Sequence, residues 1–377
     1  MKKVLLVTLE FPPIVGGIAT YTHELISALE PSQVIVLALA CKDTSWDKTQ
    51  PYTIIRRPMF FPIWVWPRWA RLVWHVWRIV KKEQIDILFV HHTLPAGYVG
   101  LIMKWFLHIP FLLFVHGTDI TFGTRSRWKR WWFGAIASRA EAIVPSSVSL
   151  KEQFLAVFPG LPKPIEVVYP GLSSVFFEPI DEQKVEEIRD QYALSGKTIM
   201  LSVGRIHSGK GFLYLVRLLP TLVARFPNLV WVVVGTGKEL PLLQKEIEKL
   251  GIENRVRLVG EAPHDTIRLW YALADLFVLL THPVAKQKEG FGLVYIEAAA
   301  MGVPVVAGRG GGVNEAVIHG QTGLVVDAMN DKEVFEAIST LLANPEYAKK
   351  LGEAARARVE VEFQWNHQIE KLKVFLV

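Results

Sequence analysis

Short apolar runs alternate with longer mixed stretches through the first half of the chain. They predict strands at 4–9, 34–40, 85–91, 111–116 and 142–145, with a helix at 19–29 between the first two. An apolar run without polar alternation is typical of a strand that is buried on both faces. We therefore predict a parallel sheet with helices on both sides.

The same alternation starts again after a segment at 167–179 that contains two prolines and a glycine. A charged helix is predicted at 182–192, strands at 198–203, 229–234, 256–258, 276–280, 303–307 and 323–326, and helical structure over 333–377. The predicted fold class is therefore α/β, with two tandem doubly wound, Rossmann-like domains at 1–170 and 171–361. Such sheets bind ligands beyond the carboxyl ends of their strands, so the expected site is a cleft between the two domains.

Charge and tryptophan are distributed unevenly. Residues 1–180 contain 19 Lys and Arg against 12 Asp and Glu, whereas the remaining residues contain 23 against 24. Ten of the thirteen Trp precede residue 133, so we expect the two halves to face different partners. The single cysteine, Cys41, excludes an internal disulfide framework and a cysteine-based metal cluster. The apolar run at 4–9 is too short for a signal peptide.

The segment from Glu289 to Glu297 is the most informative motif. Gly290 and Gly292 bracket Phe291, and a helix is predicted to follow. The free amides and dipole of a helix start form an anion site, and glycines let a phosphate approach the backbone closely. The two glutamates would then accept hydrogen bonds from hydroxyl groups on either side of a diphosphate. The alternative is an ordinary helix start with acidic neighbours.

A second glycine loop, 203–211, follows a predicted strand and carries Arg205 and Lys210. Arginine offers a fork for two phosphate oxygens, and lysine offers a mobile point charge. In a metal-free site both would neutralise the charge that builds on a leaving nucleotide. The alternative is a surface loop with two solvated cations.

Two weaker signals lie in the first half. Gly16 and Gly17 precede a predicted helix, where their amides can face a phosphate, although a glycine pair also suits a plain turn. His116 ends an apolar strand, where ligands bind in this architecture, although a lone histidine is more often structural. Each gains weight only beside the motifs of the second half.

Tryptophan and basic residues recur at helical spacing over 66–82. One side carries Trp66, Trp69, Ala70, Val73, Trp74 and Trp77, and the other carries Arg68, Arg71, His75, Arg78 and Lys82. This division predicts a helix that lies in a membrane interface, and 128–133 repeats the chemistry. Charges and prolines argue against a spanning segment. The alternative is a helix packed on its own domain with solvated arginines.

Together these motifs resemble the family 4 retaining glycosyltransferases of the GT-B fold. The resemblance spans nearly the whole chain and is densest over 202–326. Its most specific part is the pair of glutamates with seven residues between them, followed by the glycine loop that carries Lys210. Phe363 and Trp365 match the start of the family's last helix, which implies that about 362–377 pack back on the first domain.

The resemblance implies roles for these residues. The implied donor-binding residues are Gly16, Gly17, Arg205, Lys210, Gly290, Phe291, Gly292, Leu293 and Glu297, and the implied catalytic residues are His116 and Glu289. Arg205 and Lys210 would hold the donor diphosphate. Glu289 would bind sugar hydroxyls, Glu297 ribose hydroxyls, and His116 the transferred sugar. The family retains the anomeric configuration and needs neither a metal nor a cofactor beyond its nucleotide-sugar co-substrate, and no clear Asp-x-Asp metal signature is visible.

One departure from the commonest family pattern bears on the donor. Thr281, His282 and Pro283 replace the usual serine, and the loop continues to residue 288. This resembles the bacterial lipid mannosyltransferases and favours GDP-mannose over a UDP-hexose.

The resemblance also implies the partners. They are a nucleotide sugar and a lipid-linked or saccharide acceptor, without nucleic acid. The segments rich in Trp and Arg add an anionic membrane surface as a predicted partner, so the expected location is the cytoplasmic face of the cell membrane. The competing hypotheses are a UDP-hexose transferase with a soluble acceptor, a nicotinamide-dependent oxidoreductase and a non-enzymatic membrane scaffold.

Overall fold

Two compact units make up the chain. The computed structural model describes residues 1–14, 16–263, 266–284 and 289–377. The first unit is Met1–Gly171 with Trp365–Val377, and the second is Leu172–Gln364. The second boundary lies a few residues after the predicted position 361 because the chain at 363–364 pairs with Leu172, whose amide donates to the Phe363 carbonyl oxygen over 2.8 Å.

Each unit contains a six-stranded parallel sheet. The strands of the first are β1 (Val4–Val7), β2 (Val34–Leu39), β3 (Thr53–Arg57), β4 (Ile87–His91), β5 (Phe111–Val115) and β6 (Ala142–Pro145). Those of the second are β7 (Thr198–Val203), β8 (Leu229–Val234), β9 (Val256–Gly260), β10 (Leu276–Leu279), β11 (Val305–Gly308) and β12 (Leu324–Val326). The spatial orders are β3-β2-β1-β4-β5-β6 and β9-β8-β7-β10-β11-β12. Each is the doubly wound order, which reverses between β1 and β4 and between β7 and β10.

Helices connect these strands. Those of the first unit begin with α1 (Gly17–Ser27), α2 (Ala70–Glu83), α3 (Ala96–Leu107), α4 (Thr118–Gly123), α5 (Arg127–Arg139) and α6 (Val148–Val157). The second unit contains α7 (Glu182–Gln191), α8 (Phe212–Arg225), α9 (Leu240–Leu250), α10 (Ile267–Leu273), α11 (Leu293–Ala300), α12 (Val313–Ala316), α13 (Asp331–Ala343) and α14 (Pro345–Glu362). The chain ends with α15 (Trp365–Glu370) and α16 (Lys373–Leu376), which belong to the first unit.

The first sheet is buried on both faces. On one face α1 packs with the terminal helices, whose side chains Trp365, Ile369, Leu372 and Leu376 join the core. On the other face the core includes Val76 of α2, Ile136 of α5 and Phe154 of α6. The apolar pattern does not predict β3, because it is an edge strand whose residues are at most half-buried and which ends in two arginines.

The helix predicted over 66–82 is wrong in its start and in its faces. It begins at Ala70, because Pro67 lacks an amide and disfavours helical geometry at Trp66. The buried side chains are Leu72, His75, Val76, Ile79 and Val80, so His75 does not belong to a solvated basic face. The exposed face of α2 combines aromatic and basic residues instead of separating them.

Candidate functional site

The glycine loop after β7 meets the chain after β10 at the point where the second sheet reverses its winding. The amide of His282 donates to the carbonyl oxygen of Gly209 over 2.9 Å. Gly211 has a φ of +76°, and a Cβ there would overlap the carbonyl oxygen of Leu280. Only glycine permits this approach, which brings the loop containing Lys210 against β10.

The segment that begins at Glu289 packs against the glycine turn after β11. The amide of Gly312 donates to the carbonyl oxygen of Glu289 over 3.1 Å. A Cβ on Gly311 would overlap that same oxygen. The glycine turn at 310–312 therefore packs closely against Glu289 and supports it. This close packing explains why glycines are clustered in the turn.

Lys210 and Glu289 form an ion pair across these loops. Nζ of Lys210 donates to Oε2 of Glu289 over 2.6 Å, and the side chains are 17% and 23% exposed. Burial raises the pKa of Glu289, but Lys210, with smaller contributions from His207 and Arg205, outweighs it and holds the pKa below its ordinary value. Glu289 is therefore an ionised acceptor at neutral pH.

Helix α11 starts directly beyond this pair. Its N-cap residue, Gly292, has a φ of +91° and supplies no capping side chain. The first amides of a helix have no partner within the helix and carry its positive dipole end. This start suits an anion, and the predicted helix is confirmed although it begins at Leu293.

Glu297 lies one turn further along α11 and is held by a tyrosine. Oη of Tyr271, on α10, donates to Oε2 of Glu297 over 2.7 Å. Burial, and to a smaller extent the Glu297 carboxylate, raises the pKa of Tyr271 well above its ordinary value, so the hydroxyl remains a hydrogen-bond donor. The hydrogen bond orients the carboxylate that is predicted to bind ribose.

The other predicted residues of the second unit lie around the same loops. Arg205 is exposed, and its charge lowers the pKa of Glu289. Phe291 is buried and packs on Phe363 with ring centroids 5.4 Å apart. Gly290 and Leu293 are half-buried. Of the unusual loop, Thr281 is fixed by hydrogen bonds to Tyr295 and Gly308, whereas 285–288 lie outside the described residues.

A histidine cluster lies at the carboxyl ends of two neighbouring strands of the first sheet. His91 ends β4, and His116 follows β5 on the neighbouring strand. Nδ1 of His91 lies 2.9 Å from Nε2 of His116. Burial lowers the pKa of His116 to about 4, which the charges of Asp119 and His92 modify in opposite directions. His116 is therefore a neutral imidazole at neutral pH.

Asp119 holds the two strand ends together. Its Oδ2 accepts from the amide of His116 and its Oδ1 from the amide of Thr93, each over 2.9 Å. Asp119 is 6% exposed. A buried carboxylate that accepts two amides fixes the backbone on both sides of the histidine pair.

Gly16 and Gly17 lie at the start of α1, as predicted. Gly16 is extended, with a φ of 165°, and no side chain caps the helix. A Cβ added to Gly17 would meet nothing within 4 Å, so open space surrounds this helix start. Val15, which precedes the pair, lies outside the described residues.

The first unit also displays an exposed aromatic surface. Its exposed tryptophan and phenylalanine residues are Trp64, Trp66, Trp74, Trp77, Trp105, Phe106, Phe122, Trp128 and Trp131. Basic side chains lie over several of these rings: the guanidinium of Arg78 is 4.9 Å from the centroid of Trp74, and Nζ of Lys129 is 3.3 Å from that of Phe122. Within the described ranges, no helix has the length and apolarity needed to cross a membrane.

Sequence reasoning missed three groups of the site. His91 and His92 could have been found, because they end a predicted strand next to the strand of His116. Asp119 follows His116 closely and had the same signal. Tyr271 had none, because nothing near it in sequence indicates that it meets a carboxylate on another helix.

Comparisons with known proteins agree with this geometry. The family model described as Glycosyltransferase Family 4 matches residues 15–174, and that described as Glycosyl transferases group 1 matches 184–358. The GDP-mannose-dependent alpha-(1-6)-phosphatidylinositol monomannoside mannosyltransferase of Mycobacterium tuberculosis is 28% identical over all of this chain and 98% of its own length. The GDP-mannose-dependent monoacylated alpha-(1-6)-phosphatidylinositol monomannoside mannosyltransferase of Corynebacterium glutamicum is 26% identical over 98% of this chain and 97% of its own.

Solved structures share the fold. Anabaena HepE in complex with UDP-glucose superposes with a TM-score of 0.84, covering 100% of this chain and 99% of its own at 21% identity. A glycosyltransferase from Rickettsia africae gives 0.82, covering 99% and 97% at 24% identity.

Two doubly wound sheets and full-length similarity to sugar-transferring enzymes define a glycosyltransferase. The chain combines a Glycosyltransferase Family 4 domain with a Glycosyl transferases group 1 domain, has the GT-B architecture and is a hexosyltransferase. This result confirms the predicted family and fold class. It excludes the nicotinamide-dependent oxidoreductase and the non-enzymatic scaffold as alternatives.

Proposed function

We propose that this enzyme moves mannose from GDP-mannose to a lipid-linked acceptor, with retention of configuration and without a metal, while bound to an anionic membrane surface. The observation that carries the proposal is the Lys210–Glu289 pair at the start of α11. It joins a phosphate-binding cation and a hydroxyl-binding carboxylate beside an uncapped helix start. These three groups suit a hexose diphosphate, because the cation and the helix start favour its phosphates and the carboxylate accepts from its hydroxyls.

The donor roles follow from this arrangement. Lys210 and Arg205 hold the diphosphate, and the amides at 290–293 stabilise its charge as the nucleotide leaves. Glu289 accepts hydrogen bonds from the hexose, and Glu297, oriented by Tyr271, accepts them from the ribose. No metal is needed to neutralise the leaving group, because two cations and a helix dipole supply positive charge.

The first unit supplies the remaining roles. Neutral His116 contacts the transferred hexose, and the amides of Gly16 and Gly17 face the phosphates. The pKa of His116, about 4, keeps its imidazole uncharged at neutral pH, so His116 interacts with sugar oxygens through hydrogen bonds instead of charge.

The acceptor assignment rests on the aromatic surface and on the relatives. Tryptophan rings paired with arginine and lysine suit the interface of an anionic bilayer, where rings enter the acyl boundary and cations remain with phosphates. The two relatives named above are described as mannosyltransferases of phosphatidylinositol monomannoside. A mannosylated phospholipid at the cytoplasmic membrane face is therefore the proposed acceptor class.

The test is a transfer assay with purified protein in EDTA. GDP-mannose, UDP-glucose and UDP-N-acetylglucosamine are offered separately, with vesicles containing phosphatidylinositol mannoside or with soluble sugars. We expect mannosylation of the lipid from GDP-mannose, with an α-linkage detected by NMR. Transfer from a UDP-sugar to a soluble acceptor would establish the alternative hypothesis. A strict requirement for a divalent cation would contradict the metal-free mechanism.

A further inference from the structure

The first unit contains a buried imidazole that the proposed chemistry leaves unused. His91 is fully buried, and its ring stacks on Phe114 with centroids 4.2 Å apart. Its Nδ1 faces Nε2 of His116 at 2.9 Å. Its other nitrogen, Nε2, is buried and has no hydrogen-bond partner among the described residues.

A single proton must lie between the two facing nitrogens. Burial lowers the pKa of both imidazoles, so both are neutral at pH 7 and each carries one N–H. Either His91 donates from Nδ1, or His116 donates from Nε2. In the first arrangement the other proton of the pair is on Nδ1 of His116. In the second it is on Nε2 of His91.

The two arrangements differ in what they leave at Nε2 of His91. If His116 donates, His91 must carry its own proton on Nε2, where a buried N–H meets no acceptor. If His91 donates, Nε2 is only a lone pair. Buried donors without a partner are rarer in folded proteins than incompletely satisfied acceptors, which favours donation by His91.

We propose that His91 is a positioning residue that fixes His116 in the tautomer with its proton on Nδ1. His116 then presents an N–H donor to its ligand, and the ligand group that fits it is an acceptor oxygen. Asp119, which accepts from the amide of His116, holds the backbone in the matching position. The tautomer follows from the imidazole pair alone, whereas a hexose hydroxyl as its acceptor rests on the proposed function.

The tautomer can be read directly by NMR. In protein labelled with ¹⁵N-histidine, long-range ¹H–¹⁵N correlations separate protonated from bare ring nitrogens, and the spectrum of His116→Gln assigns the signals of His116. At pH 7.5 we expect the proton on Nδ1 in both His91 and His116. A proton on Nε2 of His116 would overturn the proposal. This readout needs no activity, so it stands apart from any failure of the proposed function.

A variant tests the consequence for turnover. His91→Phe keeps the ring stack on Phe114 and removes the donor, and His75→Phe is the control for loss of a buried histidine elsewhere in the unit. Because the variant loses the hydrogen bond that orients His116, we expect kcat to fall about tenfold and the KM for the nucleotide sugar to change by less than about twofold. The His116 signals should shift toward the Nε2–H form. Wild-type kcat together with an unchanged His116 spectrum would refute the positioning role.

Discussion

The two units have the same strand order and place their candidate groups beyond the carboxyl ends of central strands, yet the chemistry there differs. In the second unit the strand ends carry opposite charges, Lys210 and Glu289, packed against a helix start. In the first unit the strand ends carry neutral imidazoles, His91 and His116, within a buried cluster. One fold therefore supplies charge in the unit that is proposed to hold the diphosphate and uncharged imidazoles in the unit that is proposed to contact the sugar.

The surfaces differ in the same sense. Nine exposed tryptophan and phenylalanine side chains lie in the first unit, whereas in the described part of the second unit Phe177 is the exposed member of this class. The first half also has the excess of basic residues. This difference supports the proposal that the second unit recognises a polar, charged molecule and that the first unit meets an anionic membrane surface.

The largest effect is expected from Lys210. Lys210→Ala removes a cation from the leaving diphosphate and leaves Glu289 without its partner, so transfer should fall by about 10²–10³-fold. The rate of mannose transfer at saturating acceptor measures this. Lys245→Ala, an exposed lysine on α9, is the matched control and should retain wild-type turnover. If the Lys210→Ala and Lys245→Ala variants had equal turnover, Lys210 would have no role in the transfer reaction.

Replacing three arginines of the first unit tests whether its exposed surface binds a membrane. Each basic residue near an anionic bilayer contributes about 1 kcal/mol, so Arg68, Arg71 and Arg78 changed together to Gln should weaken vesicle binding by about 10²-fold at low salt. Flotation with phosphatidylglycerol vesicles measures this. Arg225, Lys238 and Lys245 changed to Gln in the second unit form the control. Undiminished binding by the first variant would contradict membrane docking through this surface.

A smaller change is expected at Tyr271. Tyr271→Phe removes the hydroxyl that orients Glu297, so the KM for the donor should rise by about five- to tenfold with little change in kcat. Tyr295→Phe also deletes a buried hydroxyl, one that bonds Thr281 and the Leu279 carbonyl oxygen, and controls for lost stability. The assignment fails if both variants raise the KM equally.

The smallest effect concerns acid stability. Burial lowers the pKa of His91 well below its ordinary value and that of His116 to about 4, so both imidazoles are neutral when folded. Both take up protons near pH 6.5 when unfolded, so their unit loses stability as pH falls below about 6.5. The lowered pKa of Glu289 acts in the same direction but at lower pH, because its contribution to stability is lost only as pH falls below the ordinary carboxyl range.

Hydrogen exchange at pH 7 and pH 5, corrected for intrinsic rates, separates the two units. Peptides from β4 and β5 should lose protection, whereas those from β7 and β10 should keep it. If peptides from both units lost protection to the same extent, the proposed difference in the titration of their site residues would be contradicted.

Much of this comparison could be predicted from local sequence. Continuous apolar runs identify strands buried on both faces, and the bounds of β7 and β8 agree with prediction at both ends. Glycines beside Lys210 and Glu289 mark close approaches of backbone that other residues would block. These features depend on the residues themselves or on near neighbours.

The remainder depends on contacts between distant segments. The ion pair of Lys210 with Glu289, the hydrogen bond of Tyr271 to Glu297 and the imidazole pair form only when separate strands and helices meet. The faces of α2 also depend on what the sheet covers, because helical spacing alone placed His75 with the solvated residues although the core buries it. Pattern identified the elements, but not their partners.

The most direct test is the structure of the enzyme crystallised with GDP-mannose in EDTA. The account predicts diphosphate oxygens about 3 Å from the amides at the start of α11, with Lys210 on the phosphates and the two glutamates on the hexose and the ribose. A diphosphate bound away from that helix start, or held by neither Lys210 nor its amides, would contradict it.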